Sequence, residues 1–268
     1  MLFDLLIGGL AGSISRTVTA PLELYKLQRQ NSFMPHSTIK SVIKREGIRY
    51  LWKGNYTNCL RVFPQNAINY GVFQFSKNNI VCDLQNEELR NFLSGCLGGS
   101  VSMFCIYPLE TIRSRLCLQH ANSHYKGLID ACRSIPFLHL YKGLRMSIMG
   151  YAPFTAISFS MYFNLRNNYE YCAPFNSDIN KMLCGGVAGL AALTVTYPTD
   201  LIRRRLQLQN FDARVPKYDG ILNCIKKINS TEGFRGFYRG LLASYIKIFP
   251  ALSIQFLAME KLTILLQE

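Results

Sequence analysis

PLELYK at residues 21–26, PLETIR at 108–113 and PTDLIR at 198–203 are one pattern written three times: proline, an acid two residues on, and a base three residues after that. The prolines stand 87 residues apart (21 to 108) and 90 apart (108 to 198). Self-similarity at a fixed period decides an architecture before any secondary structure is assigned. Working outward, each copy is preceded by glycines four apart: Gly8 and Gly12, Gly95 and Gly99, Gly185 and Gly189. Each is followed by an aromatic-basic-glycine triplet: Trp52-Lys53-Gly54, Tyr141-Lys142-Gly143, Tyr238-Arg239-Gly240. Ten residues beyond each triplet glycine comes a further proline, Pro64, Pro153 or Pro250.

The surrounding composition says what such a repeat can be. The 268 residues carry 30 Lys and Arg against 16 Asp and Glu, for a net charge of +14, and only 17% are charged. Mean hydropathy is +0.08, a value that hides the distribution. Residues 91–109, 146–165 and 182–199 contain no charged side chain at all. Runs of 18 to 20 residues match the roughly 20 that a membrane-spanning helix needs. Residues 54–76 carry Arg61 as their only charge, 240–259 carry Lys247 as their only base, and 5–22 are interrupted only by Arg16 before the first acid. Two such segments per repeat predict an all-α membrane protein of six transmembrane helices with pseudo-threefold symmetry. Proline inside them is tolerated where neighbours resatisfy the freed carbonyl, and small residues four apart let helices approach closely.

Charge between the spans separates two faces: residues 31–53, 119–145 and 210–239 sum to +4, +3 and +3, whereas 77–90 and 166–181 sum to −1 and 0. Both termini fall on the second face. Helical patterning at 37–45 and 220–229 predicts short surface helices on the basic face. Nine scattered cysteines without a CxxC or a paired histidine fit small buried hydrophobes rather than zinc or a disulfide framework. Asp4 and the lack of a basic run ahead of the first apolar stretch argue against a cleaved signal.

Acid and base three apart share a helix face, and a charge at the bilayer centre costs about 2.5–3.5 kcal/mol on insertion scales. Glu23, Lys26, Glu110, Arg113, Asp200 and Arg203 are therefore predicted to point into a shared interior and pair as a ring. Residues that break the threefold symmetry report on an asymmetric cargo. Seven residues after the triplet glycines stand Arg61, Gly150 and Lys247. Two bases deep in their spans, with no acid within a helical turn, predict a visiting anion carrying several charges, with Arg16 as a third cation.

The three Pro-acid-base segments, the tandem repeats and the triplets together resemble the mitochondrial carrier family over essentially the whole chain. The resemblance implies a single transport domain of repeats at about 1–80, 85–172 and 177–268, a functional monomer of the inner mitochondrial membrane, and both termini toward the intermembrane space. It implies a matrix gate pairing Glu23 with Arg113, Glu110 with Arg203 and Asp200 with Lys26, braced by glutamines at Gln30 and Gln207 but by Cys117 in the middle repeat. It implies a cytoplasmic gate at Gln74 with Lys77, Phe163 with Arg166, and Glu260 with Thr263. In that gate only Glu260 with Lys77 forms an ion pair, assisted by Gln74 with Arg166. With so thin a cytoplasmic gate the matrix-open state is the less stabilised one.

The same resemblance assigns substrate contacts to Arg61, Gly150 with Tyr151, and Lys247, as in the nucleotide and coenzyme A branch. There bases hold phosphates, a glycine-containing pair leaves room for adenine, and Tyr151 can stack on it. NYTNCLRVF at 55–63 is similar to that branch. Arg203-Arg204-Arg205 is followed by Leu206-Gln207-Leu208 rather than by three methionines, which leaves ATP with AMP, ATP-Mg with phosphate, deoxynucleotides, coenzyme A or another organic anion as cargoes. The triplets resemble cardiolipin sites at helix N-termini. The middle repeat has Ile135-Pro136 where the others have Glu46-Gly47 and Glu232-Gly233, so its surface helix should differ. With no EF-hand segment before the first repeat, no calcium regulation is expected.

Competing classes fare worse. A basic helical solenoid binding RNA does not accommodate uncharged runs of this length, so no nucleic-acid partner is expected. His36, His120, His124 and His139 all lie in connections, without a nucleophile, metal cluster or phosphate-binding loop. No enzyme, cofactor or metal is therefore predicted.

Overall fold

The computed structural model describes residues 2–31, 39–82, 86–119, 125–169, 177–209 and 215–267, with some side chains near the helix ends left out. Helix follows helix throughout, and no strand occurs among these residues. The elements are α1 (Leu2–Gln30), α2 (Ile39–Glu46), α3 (Asn55–Leu60), α4 (Val62–Asn79), α5 (Glu87–Leu118), α6 (Leu128–Ser134), α7 (Phe137–Leu140), α8 (Leu144–Tyr169), α9 (Ser177–Gln207), α10 (Ile221–Glu232) and α11 (Leu241–Gln267). Two 3₁₀ turns, Ile48–Trp52 and Phe234–Tyr238, precede the first and third triplets.

The prolines act differently by position. Pro21, Pro108 and Pro198 lie inside α1, α5 and α9 without ending them. Pro64 cannot donate to the Leu60 carbonyl four residues back, and the helix predicted across 54–76 is divided at Arg61 into α3 and α4. In each triplet the glycine adopts positive φ, at 80° for Gly54, 90° for Gly143 and 86° for Gly240, a region that side chains with a Cβ rarely enter. The chain turns there from the surface segment into the next long helix.

Long helices contact one another in a closed order: α1, α3 with α4, α5, α8, α9, α11, and back to α1. The closest seams, α4 with α5, α8 with α9 and α11 with α1, join successive repeats, and the looser ones lie within a repeat. Three apolar clusters sit at one end. Leu24, Leu27, Val42 and Leu118 belong to the first, Leu201, Leu206, Cys224 and Ile228 to the second, and Ile112, Leu116, Ala131 and Leu140 to the third. Each packs a surface helix under the C-terminal part of an odd-numbered long helix, so that end is plugged.

The glycine pairs are used in a shifted register. A Cβ on Gly9 would run into the Phe63 ring and one on Gly98 into the Asn69 carbonyl, whereas at Gly8, Gly95, Gly185 and Gly189 nothing among the described residues lies within 4 Å. Gly99 sits under the Tyr151 ring and Gly12 touches Val62. The middle surface helix departs as its sequence suggests. Without Glu-Gly, α6 ends at Ser134, Ile135 is extended, and Pro136 opens the short α7.

Cys117, Cys184 and Cys224 are buried, and every described cysteine is a free thiol. Burial pushes the Cys224 thiol up to about 12, which makes it an inert packing group. By length and composition, two stretches of described residues can cross a bilayer unaided, Leu89–Leu118 and Phe234–Met259. In α1 and α9 the charges of the Pro-acid-base segments lower the local hydropathy, although they face the interior of the ring.

Candidate functional site: a buried cationic ring

The acid of each Pro-acid-base segment follows its proline by two residues, which turns it into the space enclosed by the six long helical segments. Arg113 Nη2 lies 3.2 Å from Glu23 Oε1, Lys26 Nζ lies 3.3 Å from Asp200 Oδ2, and Arg203 contacts Glu110 directly. All six residues thus meet in three pairs that link α1, α5 and α9 into a triangle. Gln30 Nε2 donates to Asp200 Oδ2 at 3.4 Å and to the Tyr197 hydroxyl at 3.1 Å. Gln207 reaches the ring indirectly, its Oε1 accepting from Arg204 Nη1 at 3.2 Å and from Ser114 Oγ at 3.4 Å. Cys117, at the corresponding position of the middle repeat, donates instead to the Lys53 carbonyl.

Two expected contacts require correction. Arg61 and Lys247 are not free bases: Arg61 Nη1 lies 3.4 Å from Glu110 Oε1, and Lys247 contacts Glu23 Oε2. Neither acid is on the base's own helix, which is why sequence spacing could not reveal it. The geometry follows the repeat order. The residue seven past a triplet glycine reaches the acid of the next repeat, so Gly150 is the position that would serve Asp200. There the room predicted for a base is filled, because a Cβ on Gly150 would stand 2.5 Å from Thr199 Oγ1, beside Asp200.

Arg16 has no carboxylate partner among the described residues, and its Nη1 donates to the Asn58 carbonyl at 3.3 Å. Arg204 is a member that the sequence reading missed. Buried on α9, it lies 3.3 Å from Glu110 and donates to Ser114 Oγ at 3.0 Å. Its signal was available, since the equivalent residues after Lys26 and Arg113 are Leu27 and Ser114, so an arginine there breaks the threefold symmetry. Tyr107 and Tyr197 were also missed. They bind the Lys142 and Arg239 carbonyls at 3.1 and 2.9 Å and lock two triplets onto the helices that carry the ring.

Charge does not balance at this level. Among the described residues, seven cations, Arg16, Lys26, Arg61, Arg113, Arg203, Arg204 and Lys247, share this level with three carboxylates, Glu23, Glu110 and Asp200, and seven less three leave four positive charges in excess. The Nε–H groups of Arg61, Arg113, Arg203 and Arg204 are buried without an acceptor among the described residues. Buried charge is costly unless paired, so this arrangement attracts a polyanion.

At the other end, Lys77 Nζ lies 3.8 Å from Glu87 Oε1 of α5, an acid that the predicted Glu260 pairing did not include. Gln74 donates to the Tyr70 hydroxyl of its own helix at 3.0 Å. The side chains of Arg166 and Glu260 lie outside the described residues. Below the plugged end, Arg205 forks onto Glu232 at 2.6 and 2.8 Å. Arg115, its counterpart in the repeat lacking Glu-Gly, turns to the Gln207 and Gln209 carbonyls. Burial lowers Lys53 and Lys142 of the triplets from the usual lysine range.

Threefold repetition, a closed helical ring and a buried cationic triangle define a carrier of anions. The chain belongs to the family described as Mitochondrial carrier protein, which matches it three times, over residues 1–83, 85–171 and 176–268. It is 31% identical over 301 residues to the Mitochondrial adenine nucleotide transporter ADNT1 of Arabidopsis thaliana, covering 96% of this chain and 85% of that protein. Solute carrier family 25 member 16 of Mus musculus is 34% identical over 287 residues, with 95% and 85% covered. The Mitochondrial adenyl nucleotide antiporter SLC25A24-A of Xenopus laevis is 31% identical over 274 residues, with 97% of this chain and 58% of the relative covered.

Proposed function

We propose that the protein exchanges adenine nucleotides, or closely related phosphorylated anions, across the inner mitochondrial membrane by alternating access. The observation that carries the reading is the excess of four positive charges among the buried ring residues. A nucleotide supplies three or four negative charges on oxygens that suit guanidinium donors. Two relatives named as adenine nucleotide carriers support the same class.

In this reading six spans enclose the cavity, both termini face the intermembrane space, and the plugged end faces the matrix. Glu23 with Arg113, Glu110 with Arg203 and Asp200 with Lys26 form the matrix gate, with Gln30 and Gln207 as its braces. Gln74, Lys77, Arg166 and Glu260 supply the cytoplasmic gate. An arriving polyphosphate competes with Glu110 for Arg61 and with Glu23 for Lys247, and takes up Arg16 directly. Two of the three gate acids lose a partner at that moment, which couples binding to opening. In the same reading Lys53, Lys142 and Arg239, ahead of helix starts on the basic face, take up cardiolipin phosphates, and the carrier works as a monomer.

The test is uptake by liposomes containing the purified protein, loaded with adenine nucleotides, deoxynucleotides, coenzyme A, phosphate or dicarboxylates. Saturable exchange of labelled adenine nucleotides against internal nucleotide is expected. Uptake confined to phosphate or dicarboxylates overturns the proposal.

A further inference from the structure

Resting on the nucleotide reading above, we infer that the base does not bind at Gly150 but in a separate pocket on the α4–α5–α8 wall, which selects adenine through Asn66 and Asn69. The wall holds a cavity of about 370 Å³ lined by Asn66, Asn69, Phe92, Gly95, Tyr151 and other aromatic residues. It shares Phe73, Phe92, Gly95 and Phe159 with a wider cavity of about 990 Å³ toward the Lys77 end. Both fall near the range of small-molecule sites, about 300–1,000 Å³.

Three observations assign an occupant. First, Thr199 fills the space beside Gly150, whereas a Cβ on Gly95 would meet nothing within 4 Å. Gly95 lies about 200° round α5 from Leu93 and from Leu97, which belong to the exposed outer stripe. Its missing side chain therefore enlarges the pocket rather than admitting a neighbouring helix. Second, the smaller pocket has no charged residue among the described residues that line it. It offers aromatic faces, on which any base can stack, and amides, and neither Asn66 nor Asn69 has a side-chain hydrogen bond within the protein among the described residues. An amide presents a donor beside an acceptor, which matches the N6 donor and N7 acceptor of adenine, whereas guanine shows two acceptors on that edge and calls for a cation. Third, α4 rises about 1.5 Å per residue, so Asn66 and Asn69 stand about 8 and 12 Å along the helix from Arg61. A ribose and its first phosphate bridge that separation, and one nucleotide reaches both the amides and the cationic ring. Tyr151, seated on Gly99, borders the pocket from α8.

The experiment uses the full-length protein in liposomes exchanging labelled ATP, with GTP and base-free tripolyphosphate as competitors. Asn66→Ala, Asn69→Ala and Gly95→Leu are compared with the parent. The parent should prefer ATP to GTP at least about fivefold. Each variant should raise the KM for ATP about tenfold and bring ATP and GTP together, while competition by tripolyphosphate stays within about twofold of the parent. Asn66 is exposed and Gly95 borders open space, so these two variants retain the fold even if Asn69→Ala disturbs packing against Gly98. Unchanged ATP kinetics in all three, or an equal weakening of ATP and tripolyphosphate, overturns the adenine pocket. A parent that takes up no adenylate overturns the adenine-nucleotide proposal and this one with it, whereas adenylate uptake indifferent to the substitutions overturns the pocket alone.

Discussion

Glu110→Gln should be the most damaging neutralisation of a ring acid, and the structure says by how much. Glu110 is buried and serves three guanidinium groups, Arg203 in direct contact and Arg204 and Arg61 at 3.3 and 3.4 Å. Among the described residues Asp200 serves Lys26, at 3.3 Å, and the Gln30 amide. A pair of unit charges at 4 Å is worth about 4 kcal/mol gross at an effective dielectric of 20, most of it offset by desolvation. Breaking a buried pair by removing one partner typically costs about 3–5 kcal/mol, because the surviving charge is stranded. At about 2–4 °C per kcal/mol for chains of about this size, Glu110→Gln should lower the unfolding midpoint by about 6–20 °C. Asp200→Asn strands one cation, Lys26, where Glu110→Gln strands three, and should cost less than half as much. The assay is thermal unfolding in detergent, followed by a thiol-reactive dye that gains access to Cys117, Cys184 and Cys224. Combining Arg61→Gln with Glu110→Gln should recover part of the loss, since one stranded cation is removed; couplings of about 0.5–3 kcal/mol are usual for residues in contact. A midpoint for Asp200→Asn at or below that of Glu110→Gln, or strict additivity in the double variant, would refute the shared-acid account.

Arg61→Ala and Lys247→Ala should each cut nucleotide exchange by at least about tenfold, the worth of a charged hydrogen bond. Their unfolding midpoints should stay within a few degrees of the parent, because Glu110 keeps Arg203 and Arg204, and Glu23 keeps Arg113; normal uptake by both variants would remove the anchoring roles. Glu232→Gln should destabilise by about 3 kcal/mol or more, since Arg205 is 2% exposed and forked onto that carboxylate. Arg115→Met, which gives up two backbone carbonyls and, among the described residues, no carboxylate, should cost clearly less in the same melt, and the reverse order would contradict the assignment.

Local regularities made much of this molecule readable before any coordinates. Pro-acid-base triplication gave the ring members because acid and base three apart must share a helix face, and a chain repeating that face three times can satisfy it only by closing on itself. The triplet glycines were readable for a similar reason, since each turn needs positive φ, seen at Gly54, Gly143 and Gly240. The break at Arg61 was not anticipated: Pro64 removes one hydrogen bond there, but the identical spacing in α8 and α11 leaves the helix intact, so proline alone does not determine the outcome.

What sequence withheld is the set of contacts made between helices. Arg61 looked solitary because its acid lies 49 residues on, and Lys247 because its acid lies 224 residues back. Only the order of helices around the ring converts positions 61, 150 and 247 into neighbours of 110, 200 and 23. That conversion changes the argument for an anionic cargo. Isolation of single bases is no longer available as a reason, and the surplus of the whole cluster takes its place, because three carboxylates cannot neutralise seven cations however they are shared. It also makes the site asymmetric in a useful sense: Glu23 and Glu110 each hold a cation from the position seven past a triplet glycine that a phosphate can draw away, whereas for Asp200 that position is Gly150, and among the described residues its cation is Lys26 of the gate itself. A polyanion drawn to Arg61 and Lys247 therefore loosens two corners of the triangle and leaves the Lys26–Asp200 corner to be broken by the movement itself.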